Sequence, residues 1–283
     1  FSSRRRHTRF RNVTGVQTCA LPISRGVTFS SKRSEEGKEF LTSTDNWFRP
    51  VNFVNAPDGT LHVVDMYRET IEHPWSIPDD IKAQLDLESG RDRGRIYRLA
   101  PKGFQPPKPP KLGSATTAEL IGWLQHADSW WRDTAHRLLL ERQDQTAVAG
   151  LRTRLLDRTE KLFQNRDLSA IARLHALWLL ADLNALTDED LLTTFDDANP
   201  RLVEAAVKLS EPRLATNSAL RDRLLNELAG SADDRLRFQI AFTLGAIVRN
   251  SEGIVDDVVV QRLAGLAHRD GQDDWARAAI LSS

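Results

Sequence analysis

The chain has 283 residues, 39 basic against 39 acidic side chains, 40% hydrophobic residues and a single Cys. That length supports one or two domains with a sizeable core. The balanced charge gives no reason to expect nucleic-acid binding, no apolar run is long enough to cross a bilayer, and one Cys excludes an internal disulfide or a multi-Cys metal site.

Residues 1–24 hold five Arg, no acidic residue and the only Cys, Cys19. The basic start runs into Asn12, Thr14, Gly15 and Gln17 rather than an apolar segment, so it does not read as a signal peptide. Ser3–Arg9 and Val13–Ser24 back-translate to the two constant parts of a short-read sequencing adapter, with Phe10, Arg11 and Asn12 as the index between them. The segment is therefore set aside as artefactual or disordered. Without its five Arg, 34 basic side chains face 39 acidic ones, a net charge of −5, and no Cys remains. A Cys-free chain fits an extracytoplasmic, periplasmic location.

Residues 25–100 are rich in β-branched and aromatic residues and turn signals. Val51–Val54 alternates apolar and polar, Pro57-Asp58-Gly59 predicts a tight hairpin, and Thr60–Tyr67 predicts a second strand. Gly94–Leu99 predicts a third. The long excursion before it carries Pro74, Pro78 and a predicted short helix, Asp79–Leu87. Three strands are too few to stand alone. Residues 101–113 contain five prolines and read as a semi-rigid, Pro-rich linker.

Residues 114–283 show helical periodicity and an internal repeat. Segments beginning at Trp131, Ala172, Leu202, Leu236 and Trp275 carry Ala135, Ala176, Ala206, Ile240 and Ala279 four residues on. A small residue there lets two helices approach closely, and the spacings of 41, 30, 34 and 39 match HEAT-type helical pairs. A non-repetitive helical bundle is the alternative. Asn199-Pro200 and Asp233-Asp234 are helix starts. A solenoid should close with a polar capping helix, so the helical part is expected to be truncated at the C-terminus. The fold class is mainly α, a HEAT-like α-solenoid preceded by a partial β-propeller blade and the Pro-rich linker.

The blade assignment rests on resemblance. A strand, Pro-Asp-Gly, a strand ending in Asp65, then Gly94-Arg95-Ile96-Tyr97 resembles the last blade of six-bladed propellers, as in soluble sugar dehydrogenases that use pyrroloquinoline quinone. With Phe40–Asp45, Phe48–Val51, Val64–Glu69, Ile71–Pro74 and Pro109–Leu112, the whole of 25–283 resembles the large membrane-bound-type dehydrogenases of planctomycete and verrucomicrobial bacteria. The resemblance implies a fragment of an extracytoplasmic sugar or alcohol dehydrogenase, inactive alone, with pyrroloquinoline quinone as cofactor. It also implies a protein partner or cytochrome domain docked through the HEAT repeats. The chain lacks Cys-x-x-Cys-His, so it attaches no haem. The alternative is a non-catalytic scaffold that binds a protein or glycan.

His73 is the candidate base, held extended by Pro74. Arg49, Asp65, Arg68 and Glu69 are candidate cofactor-binding residues, Arg49 offering a guanidinium fork to a carboxylate or quinone oxygen. Each has a plainer reading: Asp65 as a turn cap, Arg68 with Glu69 as a local ion pair, Arg49 stacked between aromatics. Trp123, Trp130, Trp131 and Trp178 read as helix packing. His126, His136, His175 and His268 do not cluster in sequence, so no metal site is expected. The Arg/Asp alternation of 132–166 and 221–237 reads as a solvated helix face with (i, i+4) pairs. No phosphate-binding loop or nucleophile elbow is present.

Overall fold

The computed structural model describes residues 14–17, 20–71, 73–157, 166–248 and 256–283. It is mainly helical, 53% helix against 11% strand, and divides into two compact units, mainly residues 30–110 and mainly residues 111–283. No described helix is long and apolar enough to cross a membrane.

The first unit is strand-rich. β1 (Thr14–Gln17) pairs antiparallel with β4 (Leu41–Ser43), and β2 (Ala20–Arg25) pairs with β3 (Thr28–Arg33). Strands β1 and β2 lie largely in the segment that reads as adapter, β3 carries no sequence signal noted above, and β4 falls within the Phe40–Asp45 motif. The predicted meander is present as β5 (Pro50–Asn55), β6 (Leu61–Asp65) and β7 (Arg95–Leu99), antiparallel with β6 central. Side chains alternate across a strand, and on β6 the alternation buries Val63 and Asp65. Asp58 caps the hairpin: its Oδ1 accepts from the Thr60 N–H at 3.0 Å and the Thr60 hydroxyl at 2.5 Å. These bonds hold the Asp58 carboxyl below its usual range.

The excursion helix is shorter than predicted. α1 spans only Asp79–Lys82 and buries no side chain. A short helix with no apolar face to pack has nothing to extend it.

The second unit holds α2 (Thr117–Trp123), α3 (Ser129–Arg142), α4 (Ala147–Leu156), α5 (Arg166–Asp182), α6 (Asp188–Phe195), α7 (Pro200–Ser210), α8 (Ser218–Asn226), α9 (Asp234–Val248), α10 (Asp257–Asp270) and α11 (Asp274–Ser282). The helices lie in two layers. In one, α3 packs on α5, α5 on α7, α7 on α9 and α9 on α11. In the other, α2 packs on α4, α6 on α8 and α8 on α10. Local chemistry sets the starts. Thr116 with Glu119 and Thr187 with Asp190 form capping boxes, and Asn199 caps α7 with Pro200 in its first turn. Asp233 accepts from the Leu236 N–H at 2.8 Å to start α9.

The repeat positions lie in the core of the unit. Ala135, Ala176, Ala206, Ile240 and Ala279 are all fully buried. The last segment is shifted by one residue. Counted from the capping residues Asp128, Asn199, Asp233 and Asp273, Ala276 stands where Trp131, Leu202 and Leu236 stand, and Trp275 is exposed. Leu112, placed in the linker by composition, is buried in the helical core instead.

The reading of the Arg/Asp alternation as a solvated face is corrected. Arg137–Glu141 and Arg223–Glu227 are such (i, i+4) pairs. Most of the others reach from one helix pair to the next: Arg152 to Asp190, Arg221 to Asp256, Arg223 to Asp196 and Arg237 to Asp270. Arg237 is buried and forks onto both Asp270 oxygens at 2.7 Å, a bidentate geometry that favours Arg. Arg132 and Arg237, at the same place in the repeat, each donate to a main-chain carbonyl six residues back, His126 O at 2.6 Å and Ser231 O at 2.9 Å. They close the loop that enters their own helix.

Candidate functional site

The strand end at Asp65 gathers four of the five candidates. Asp65 is buried, and its Oδ1 accepts N–H bonds from Arg49 at 2.7 Å and Tyr67 at 2.8 Å. It therefore ties the start of β5 to the end of β6. The backbone turns sharply after it, with Tyr67 in the left-handed region at φ 51°. The Arg95 guanidinium lies over the Tyr67 ring, 3.5 Å from its centroid, and Gly90 packs its bare Cα side against the Tyr67 carbonyl.

Arg49 spends both terminal nitrogens on main-chain carbonyls. Nη1 donates to Asn46 O and to Phe48 O at 3.0 Å, and Nη2 donates to Glu69 O at 3.0 Å. Its role is a clasp between two loops rather than the aromatic stack read from sequence. Glu69 takes part through its backbone. The Arg68 N–H donates to Trp47 O at 3.1 Å. Asp65 Oδ2 and Arg68 Nη1 are both buried without a hydrogen-bond partner.

His73 lies elsewhere. It caps a single 3-10 turn, Pro74–Ser76, with its Nδ1 accepting the Trp75 N–H at 3.2 Å. An imidazole that accepts at Nδ1 carries its proton on Nε2 when neutral, so it presents a donor to solvent. An open hollow of about 630 Å³ beside the turn is lined by Trp75, Ser76, Ile77, Pro78, Asp79 and Lys82, and by none of the five candidates.

These residues do not fit a polyanionic quinone as they are placed. Such a cofactor needs converging unspent cations. Arg49's terminal nitrogens hold carbonyls, a buried carboxylate sits beside them, and Arg68 Nη1 is the donor left over.

A second cluster lies in the helical unit, and it joins residues 39 apart in sequence. His136 on α3 and His175 on α5 meet with their Nδ1 atoms 3.1 Å apart and their ring centroids 5.1 Å apart. They line a pocket of about 330 Å³ with Asp133, Trp178 and Asp182. Asp133 Oδ1 is 3.9 Å from His175 Nε2. Burial, then the neighbouring His136 imidazole, pushes His175 down to about 4. Burial likewise lowers His136, against the pull of Asp182 and Asp133. The only signal in sequence is that the two positions are about one repeat apart. The other helical histidine with a clear role, His126, accepts the Asp128 N–H at 3.0 Å and stacks on Trp123. Trp123, Trp131 and Trp178 pack against the core as predicted, whereas Trp130 is 40% exposed.

A family model described as a domain of unknown function (DUF7133) matches residues 12–103, which is the strand-rich part of the chain and less than half of it. Its start falls inside the segment that reads as adapter. No curated protein and no solved structure matches the chain.

Proposed function

We propose that the chain is a binding scaffold: a HEAT-like solenoid of helical pairs, joined to one blade of a β-propeller, working outside the cytoplasm and docking a protein or glycan partner. The observation that carries this reading is the burial of the four repeat positions Ala135, Ala176, Ala206 and Ile240, where successive second helices of each pair pack on one another. The strand-rich unit supports it from the other side, because both terminal nitrogens of Arg49 and the Nδ1 of His73 are taken up by the backbone.

A second reading has one observation in its favour. Asp65 Oδ2 and Arg68 Nη1 keep unused bonding capacity at a buried strand end. On that reading the chain is part of a quinone-dependent sugar or alcohol dehydrogenase, and other residues complete the cofactor site. One experiment separates the two. The purified chain is titrated with pyrroloquinoline quinone in the presence of Ca²⁺, and binding is followed by the quinone's fluorescence. The scaffold reading expects no saturable binding. Saturable binding, lost in Arg68→Ala, overturns it in favour of the dehydrogenase.

A further inference from the structure

The geometry of His136 and His175 points to a transition-metal site between α3 and α5, one that takes a divalent ion such as Zn²⁺ through the Nδ1 atoms of the two imidazoles.

Two nitrogens that share one tetrahedral ion, each about 2.0–2.1 Å from it, stand about 3.3 Å apart. The two Nδ1 atoms are 3.1 Å apart, so a shift of a few tenths of an ångström seats an ion between them. The ring planes are inclined at 58° rather than stacked face to face. Both side chains sit on long helices of the packed layer, α3 and α5, which fix their positions without the ion.

The surroundings suit the ion. Asp133 approaches the far nitrogen of His175, Nε2, at 3.9 Å. A carboxylate on that side favours the Nε2–H tautomer and leaves the Nδ1 lone pair for the metal, the usual outer partner of a ligating histidine. Asp182 adds a second carboxylate to the pocket wall, and its charge opposes the ion's. Among the described residues no three His, Cys, Asp or Glu side chains already converge. The protein therefore supplies two ligands, and water in the 330 Å³ pocket supplies the rest. Coordination left open to solvent marks a site that can take a further ligand.

The test is calorimetric titration of Zn²⁺ into the chelator-stripped full chain. His136→Gln, His175→Gln and Asp133→Asn are compared with His126→Gln and His268→Gln as controls. Far-UV circular dichroism verifies that each variant is folded, and Gln keeps a polar group in the pocket. The expected result is one Zn²⁺ per chain at this site, weakened about tenfold or more in each of the two pocket His variants. The Asp133 variant should bind less tightly by a smaller factor, and the controls should match the parent. Co²⁺ in place of Zn²⁺ should give visible d–d absorption that disappears in His175→Gln. The proposal is overturned if the parent chain binds no Zn²⁺, or if folded His136→Gln and His175→Gln bind it as the parent does.

Discussion

Asp197→Ala should destabilise the helical unit by about 3–5 kcal/mol, the usual cost of leaving a buried charge without its partner. Asp197 Oδ1 accepts from Arg173 Nη2 at 3.1 Å and from the Asn199 N–H at 2.8 Å. The side chains of Arg173 and Asp197 are 6% and 3% exposed, so solvent does not screen the pair. Once Asp197 is gone, the guanidinium keeps Ser169 Oγ at 3.1 Å and the Asp157 carbonyl at 3.4 Å, neither of which is a counter-charge. The substitution also removes the bond that shapes the turn before α7, whose cap is Asn199. Urea unfolding followed at 222 nm reads the loss. The doubly substituted Arg173→Met, Asp197→Ala chain should recover much of it, because no buried charge is then unpaired. A loss below about 1 kcal/mol for Asp197→Ala, the range of an exposed pair, would refute the reasoning. So would a double variant less stable than the single one.

Gly90→Ala should loosen the Asp65 turn. A Cβ at that position would stand 2.4 Å from the Tyr67 carbonyl oxygen and 3.4 Å from the Trp47 ring, and φ is +84°. The cost is at least about 1–3 kcal/mol of backbone strain; a shifted or broadened melt of Trp fluorescence reads it, and an unchanged melt would contradict the packing described. Acid should weaken the contact between α4 and α6. Burial works to raise the Asp190 carboxyl, but the Arg152 hydrogen bonds and those of Thr187 outweigh it and hold it below its usual value. The unfolded chain therefore takes up that proton first, so this contribution is present above the ordinary Asp range and is lost as pH falls through the depressed value. Asp190→Asn should flatten the acid limb of a stability–pH profile, and a profile as steep as the parent's would remove Asp190 from the account.

Much of the local structure was legible in the chain. The Pro57-Asp58-Gly59 hairpin, the three-strand meander and the starts at Asn199 and Asp233 depend on neighbours in sequence, through turn geometry and caps. The burial of Ala135, Ala176, Ala206 and Ile240 was legible too, since an apolar position recurring every thirty to forty residues is a one-dimensional signal. The helix expected through Leu87 failed because its extension depended on packing that the excursion does not provide. Trp275 misled the register because a large apolar residue at a helix start reads as core, whereas the Asp273 cap turns it to solvent.

Of the candidate site, sequence located Asp65 and its turn-capping role. It did not show that Arg49 would close on carbonyls from two loops, one of them at Glu69, or that His73 would cap its own turn. Those outcomes depend on where backbone donors and acceptors end up after the chain has folded back. The same holds for the Arg/Asp alternation: composition supplied the charges, and the stacking of helix pairs chose partners more than thirty residues away, as in Arg237 with Asp270. Sequence alone determined the order of strands, Pro-rich segment and paired helices, because periodicity and caps act within a few residues. Only the tertiary structure brought His136 to His175, because one repeat of chain must be wound into a helical pair before its neighbours can touch.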